Sequence, residues 1–307
     1  MRYVITGGAG FIGSHLSNYI LQKDHEAEIT VVDSLVCGDE TRLDSRVFLI
    51  QKSIEAILPS EWDEILYGCD FVFHLAATKY NSPGSNPKSI IATNITATDA
   101  LFESASKQRI KRLVFTSSLY AYGNLGPSVM KETDLLLPRT HYGMSKVAGE
   151  SLARIYSTKN NLEFCIARLF FIYGPNQFSQ GGYKSVINKT IELINSGNKP
   201  QLYGDGEQIM DFIHINDCVR ALFMMSRAPV ARNNTYNVAS QESITVKEVI
   251  FLLKELLQSD LDLDLLPQDW TAGTKRVGSK EKIVSELEWN PEMKIRNGLS
   301  QILNSVV

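Results

Sequence analysis

The chain lacks a surplus of charge of either sign. It carries 31 Lys and Arg against 34 Asp and Glu, a net charge of −3 at pH 7. That balance excludes a general polyanion binder. Nucleic acid is not an expected partner, and any anionic ligand must be held at a local site. No apolar run reaches the length of a membrane span, and Met1 is followed almost at once by a short strand-like stretch rather than a leader. No membrane partner is expected, and the expected location is the cytoplasm. Cysteine is scarce: Cys37, Cys69, Cys165 and Cys218 include no CxxC pair, so neither a disulfide framework nor a metal site is expected. Repeats and low-complexity tracts are missing too. What the chain does have is 307 residues, 44% of them hydrophobic, enough for a large core in one two-lobed unit or two domains.

Short apolar runs at 3–6, 29–33, 47–50, 71–75, 112–116 and 164–168 alternate with helical stretches at 12–22, 89–106 and 142–158. Buried runs spaced by helices predict an α/β fold, a doubly wound parallel sheet of Rossmann type covered on both faces, over residues 1–173. Gly174-Pro175 and Gly181-Gly182 then break the rhythm. Helical stretches near 184–195, 216–226, 246–258, 280–286 and 298–304, with a strand at 234–238, predict a smaller mixed α/β lobe over residues 174–307, some of whose elements can cross back. In doubly wound sheets, ligands bind outside the carboxyl edge of the strands.

Three groups at that edge carry chemistry. Gly7, Gly10 and Gly13, with Phe11 and Ile12 between the last two, follow the first strand and open the first helix. Glycine there lets backbone amides approach a pyrophosphate at a helix N-terminus. Asp33 ends the second strand, where a carboxylate accepts from a ribose 2′-hydroxyl and repels a 2′-phosphate, so the expected cofactor is NAD rather than NADP. Leu75, Ala76 and Ala77 close the fourth strand, small enough for the backbone to run beside a cofactor. His74 is expected to be structural. Lys79 has two readings, a cation facing the nicotinamide ribose or a solvated loop residue. At the fifth strand end, Ser117 or Ser118 is a strand-end cap or, in the case of Ser118, a hydroxyl bridging substrate to a catalytic group. Tyr142 and Lys146 lie four apart, one helical turn from each other. An ammonium there is expected to lower the phenol pKa from roughly 10 towards neutrality. A Tyr so tuned exchanges a proton with a sugar hydroxyl while a nicotinamide handles the hydride.

These residues resemble the extended short-chain dehydrogenase/reductases of the nucleotide-sugar epimerase/dehydratase family, UDP-glucose 4-epimerase-like. The resemblance is carried by TGGAGFIGS at 6–14, HLAA at 74–77, Asn94, SSLYAYG at 117–123, YGMSK at 142–146, RLFFIYGP at 168–175 and YGDGEQIMDFIHIND at 203–217. It implies Tyr142 as catalytic base and acid, Lys146 as its tuner and a nicotinamide-ribose ligand, Ser118 as hydroxyl relay and Asn94 as support on the cofactor side. It also implies Lys79 at a position where 4-epimerases carry lysine, Tyr203 against the nucleotide base and Arg276 on the substrate diphosphate. Tyr80, Tyr120, Phe171 and Tyr183 are candidates for an aromatic pocket wall or ordinary packing. The helices at 89–106 and 142–158 are implied to pair across a homodimer.

Four departures stand out against that family. Leu119 and Tyr120 occupy positions where dehydratases carry Asp-Glu and decarboxylases Glu. Phe171 replaces an Asn, Met210 an arginine, and Ser53 an Asp on the adenine side. The expected activity is C4 epimerisation of a nucleotide sugar, UDP-linked by analogy, through a transient 4-keto sugar with regeneration of NAD. The alternatives are a net nucleotide-sugar dehydrogenase or reductase, and a non-catalytic NAD-binding regulator.

Overall fold

The computed structural model describes residues 1–79, 86–123, 128–177 and 184–305. Seven strands form one parallel sheet: β1 (Arg2–Thr6), β2 (Glu28–Asp33), β3 (Phe48–Gln51), β4 (Phe71–His74), β5 (Arg112–Ser118), β6 (Phe164–Leu169) and, much later in the chain, Asn234–Val238. Their spatial order is 3-2-1-4-5-6 with the late strand beyond β6, so the winding reverses between β1 and β4. The strands read as continuous hydrophobic runs because both faces are covered. All seven residues of β5 and all six of β6 are buried. On one face the Phe11–Lys23 and Ile215–Arg227 helices pack over Tyr3, Ile5, Phe73 and Val114; on the other, the helices Thr98–Lys107 and His141–Asn160 cover Val4, Val72, Leu113 and Ile166.

The remaining strands are short: β7 (Phe171–Tyr173), β8 (Gln201–Tyr203), β9 (Ile209–Met210), β10 (Phe212–His214), β12 (Ile244–Thr245), β13 (Asp264–Leu266) and β14 (Lys275–Arg276), with β11 being Asn234–Val238. They pair as β10-β7, β12-β9-β14 and β13-β8. Apart from β11, the sequence reading had only helices in this region. Strands of two or three residues carry too little alternation to register as a period. β11 lies in register with β6, Tyr236 opposite Ala167, so this stretch of the second half completes the large sheet. The helices Val186–Asn195, Val246–Leu256 and Ile295–Ser305 enclose a separate core around Ile187, Leu202, Val249 and Leu299.

The helical stretch expected at 89–106 is interrupted. Pro87–Ile91 and Thr98–Lys107 are α-helical, and Ala92–Ala97 between them is a π-helical turn. Single π turns inside helices recur at functional sites because the widened turn re-aims side chains. Here the turn carries Asn94. Among the described residues no helix is long and apolar enough to cross a membrane.

Candidate active site

The glycine turn follows from close packing. Gly7 has φ +69°, and a Cβ there would lie 2.7 Å from the Ala76 amide nitrogen, so the turn presses directly on the Leu75-Ala76-Ala77 segment beyond β4. A Cβ on Gly13 would lie 2.4 Å from the Gly7 carbonyl oxygen. The following helix, which begins with Phe11 and Ile12, is capped by Gly10. It has no side-chain cap and no acidic residue in its first turn. Its N-terminal amides and positive pole are therefore open to an anion. Asp33 lies against the same turn: its carboxylate accepts from Ala9 N at 3.0 Å and Leu35 N at 2.9 Å. Burial raises its pKa, and these backbone donors oppose the rise. An uncapped helix start, a turn with no room for side chains and a strand-end carboxylate together fit a dinucleotide.

His74 is structural. It is buried, contacts Thr6 Oγ1 at 2.7 Å and Thr98 Oγ1 at 2.9 Å, and burial pushes its pKa down to about 3. Asn94 is committed internally. Its Oδ1 accepts from Thr78 N at 2.8 Å, while its Nδ2 donates to Thr78 O and to Ser145 Oγ, both at 2.9 Å. Ser145 Oγ in turn donates to Tyr142 O at 2.8 Å. The π turn thus ties the Thr78 backbone, next to Lys79, to the helix that carries Tyr142 and Lys146.

Ser118, Tyr142 and Lys146 come together. Ser118 ends β5, and Tyr142 opens the His141–Asn160 helix, whose N-cap Thr140 Oγ1 accepts from Gly143 N. The Tyr142 phenol hydrogen-bonds the Ser118 hydroxyl. Lys146 Nζ is buried, donates to Thr116 O at 2.9 Å and lies 5.6 Å from the Tyr142 ring centroid. The expected depression of the phenol pKa is not present in the chain by itself. Burial raises it strongly, the Ser118 hydrogen bond draws it down, and Tyr120 adds to the rise. Desolvation of the phenol dominates, and Lys146 is itself desolvated: burial and the neighbouring Lys79 ammonium bring its pKa down to about 7.

That gives a sign-definite expectation for stability. The unfolded chain holds a proton on Lys146 up to about pH 10.4, the folded chain only up to about 7. Between those values folding expels a proton, so the lysine weakens the fold increasingly as pH falls. Lys146→Met should stabilise the cofactor-free protein at neutral pH by roughly 1–3 kcal/mol. Melting curves should show the gain shrinking towards about pH 10.

Ser117 points away from this group and into a buried polar network. Its Oγ donates to Glu150 Oε1 at 2.7 Å. Glu150 is paired in bidentate fashion with Arg168, at 2.9 and 2.8 Å, and Arg168 Nη1 donates to Tyr122 Oη at 3.0 Å and Glu132 O at 3.1 Å. Burial raises the Glu150 pKa, but Arg168, Ser117 and Arg154 together hold it below the usual carboxylate value. The sequence reading missed Glu150. The signal was available: it follows Lys146 by four residues and Tyr142 by eight, on one helical face.

Three of the substrate-side candidates, Tyr120, Phe171 and Arg276, are linked through one cluster. Tyr120 meets the Tyr142 ring edge-on at 6.2 Å between centroids. Tyr120 and Phe171 both pack on a cluster of Leu119, Tyr122, Met130, Phe170 and Ala239. The Arg276 guanidinium lies 5.0 Å from the Phe171 ring centroid, and Arg276 is in register with Met210 on β9. Tyr203 stands at the end of β8, exposed, with Lys189 Nζ 5.4 Å from its ring. Tyr80 and Tyr183 lie outside the described residues.

A doubly wound sheet with an open glycine turn and a Ser-Tyr-Lys group at its carboxyl edge defines a nucleotide-cofactor enzyme of the short-chain dehydrogenase/reductase class. The profile of the NAD dependent epimerase/dehydratase family matches residues 3–239, and the chain belongs to that family. It is 28% identical over 310 residues, 98% of this chain and 96% of the relative, to YtcB of Bacillus subtilis (strain 168), described as an uncharacterized UDP-glucose epimerase. Among solved structures, UDP-glucose 4-epimerase of Thermotoga maritima with UDP-glucose superposes with a TM-score of 0.91 at 27% identity, covering 100% of this chain and 98% of that one. The dTDP-glucose 4,6-dehydratase DesIV of Streptomyces venezuelae, solved with NAD bound, gives 0.89 at 25% identity, covering 99% and 96%. NAD is the cofactor of this family and of this chain.

Proposed function

We propose that the protein is a nucleotide-sugar epimerase that inverts C4 of a UDP-linked sugar through a 4-keto intermediate. The observation that carries this reading is the tyrosine beside Tyr142 at position 120. At that position the family's dehydratases and decarboxylases are expected to place a carboxylate, whereas here an aromatic ring meets the Tyr142 ring edge-on. The site then has a proton-exchanging pair, Ser118 and Tyr142, and no acid at that position to expel a leaving group. The relatives named above do not separate the choice, since a UDP-glucose 4-epimerase and a dehydratase share the fold almost equally; the reading is supported by the side chains at the site.

In this reading NAD, when bound, would supply a reversible hydride acceptor for C4. Tyr142 takes the C4 hydroxyl proton with Ser118 as relay and gives it back to the same oxygen once the 4-keto sugar has turned its opposite face to the cofactor. Lys146 supplies positive charge beside the phenol. Asp33 and the glycine turn hold the cofactor; Lys79 adds charge at the cleft. Arg276 holds the substrate diphosphate and Tyr203 the base, with Tyr120 and Phe171 lining the sugar side. The protein is proposed to work as a homodimer through the Thr98–Lys107 and His141–Asn160 helices.

Proton NMR of the anomeric region, with holoenzyme and a panel of UDP-, dTDP- and GDP-sugars, tests the reading. A second anomeric signal growing to equilibrium without net NADH is the expected result. Net NADH formation or consumption matched to product would replace it with a dehydrogenase or reductase.

A further inference from the structure

The wall that carries Arg276 has one further residue with no assigned task. Trp270 is 62% exposed, an unusual state for the largest apolar side chain, yet it is not loose. Its ring centroid lies 6.0 Å from the Arg276 guanidinium, which is itself only 4% exposed and lies 5.0 Å from Phe171 on another side. The segment bearing Trp270 is a structured turn. Asp269 accepts from Thr271 N at 2.8 Å, Ala272 N donates to Asp269 O, and Thr274 Oγ1 donates to Thr271 O at 2.6 Å. Both ends of this turn are fixed on proposed nucleotide ligands. It leaves β13, whose Leu266 is in register with Tyr203, and enters β14 at Lys275–Arg276.

The described neighbours of Arg276 on this wall include two apolar side chains. Met210, beside Arg276 in register, and Phe171, under it, are both apolar. Among the described residues, two side chains placed directly against Arg276 are thus apolar, which leaves room for stacking to add to the grip on a nucleotide. An indole already leaning on the phosphate-binding cation, with one face open to solvent, suits that role.

We propose that Trp270 is a nucleotide-contacting residue: its exposed indole face packs on the nucleoside diphosphate of the substrate held by Arg276. The proposal rests on the nucleotide-sugar reading above and adds to it a residue that contributes stacking.

Tryptophan fluorescence tests it directly, because Trp62 and Trp289 are fully buried and Trp270 is the exposed one of the three. NAD-loaded protein would be titrated with UDP. The expected result is a saturable change in emission with protection from acrylamide quenching. Trp270→Ala should lose that signal and bind UDP about tenfold more weakly by calorimetry, with Trp270→Phe staying within about threefold of native. Native affinity in Trp270→Ala, or UDP binding that leaves the native emission and quenching unchanged, overturns the proposal while leaving the epimerase reading intact. Failure of the native holoenzyme to bind UDP at all overturns this proposal and the UDP-sugar substrate together.

Discussion

Replacing Tyr142 with Phe should lower turnover by about a thousandfold while leaving NAD content unchanged. General acid–base groups contribute roughly 10²–10⁴ to rate, and the phenol oxygen is the only atom the substitution removes. The ring itself stays, so its edge-on contact with Tyr120 and its place near Lys146 are kept. Cofactor released on denaturation, measured by absorbance, should match the native protein. Native turnover in this variant would refute Tyr142 as the proton-exchanging group. The pH profile adds a second readout. Burial raises the phenol pKa and Ser118 draws it down, so Ser118→Ala must move the rising limb of kcat to higher pH as well as lower its plateau. A Ser118 that only caps β5 would leave the limb where it was.

The second large effect is expected at a pair that touches no substrate. Glu150 and Arg168 are 0% and 2% exposed, and without Arg168 the buried Glu150 carboxylate keeps only the largely exposed Arg154 as an ion-pair partner, at 3.2 Å. Removing one partner of such a pair costs about 3–5 kcal/mol. Arg168→Met should therefore lower the melting temperature by roughly 10 °C in a chain of this size. Glu150→Leu combined with Arg168→Met should recover much of that loss, since an apolar pair carries no desolvation penalty. Additive loss in the double variant would show that the charges themselves hold the fold. The pH dependence has a definite sign. The folded Glu150 pKa is held below its ordinary value, so its contribution is present above about pH 4.5 and is lost as pH falls through the folded pKa. Activity should fall as well, because Ser117, bonded to Glu150, is the neighbour of Ser118 on β5.

The large sheet was legible because its strands are unbroken apolar runs with both faces covered, the pattern a parallel sheet demands. The glycine turn and Asp33 were legible for a related reason: backbone geometry there leaves few residue types to choose from. Ser118 was singled out by its position and by the family pattern; the strand end alone did not separate it from Ser117, since both end β5. Only the alternation of side chains across β5 sends one to Glu150 and the other to Tyr142. The sign of the Tyr142 shift also escaped the sequence, because spacing fixes the distance between charges and says nothing of how much water each has lost. Asn94 was placed on the cofactor side by resemblance, yet its amide is spent on Thr78 and Ser145. No propensity marks the π turn that aims it there.

The late return of β11 to the edge of β6 has a consequence for the chain as it is made. When residues up to the end of β7 have left the ribosome, six strands of the sheet exist and the outer flank of β6 has no neighbour. An apolar strand with an open row of amides and carbonyls is a template for pairing with other chains. That flank stays open until Asn234–Val238 is synthesised. The nascent protein thus passes through a stage in which its most buried sheet presents a raw edge, and closure depends on a segment made long after the strand it must cover.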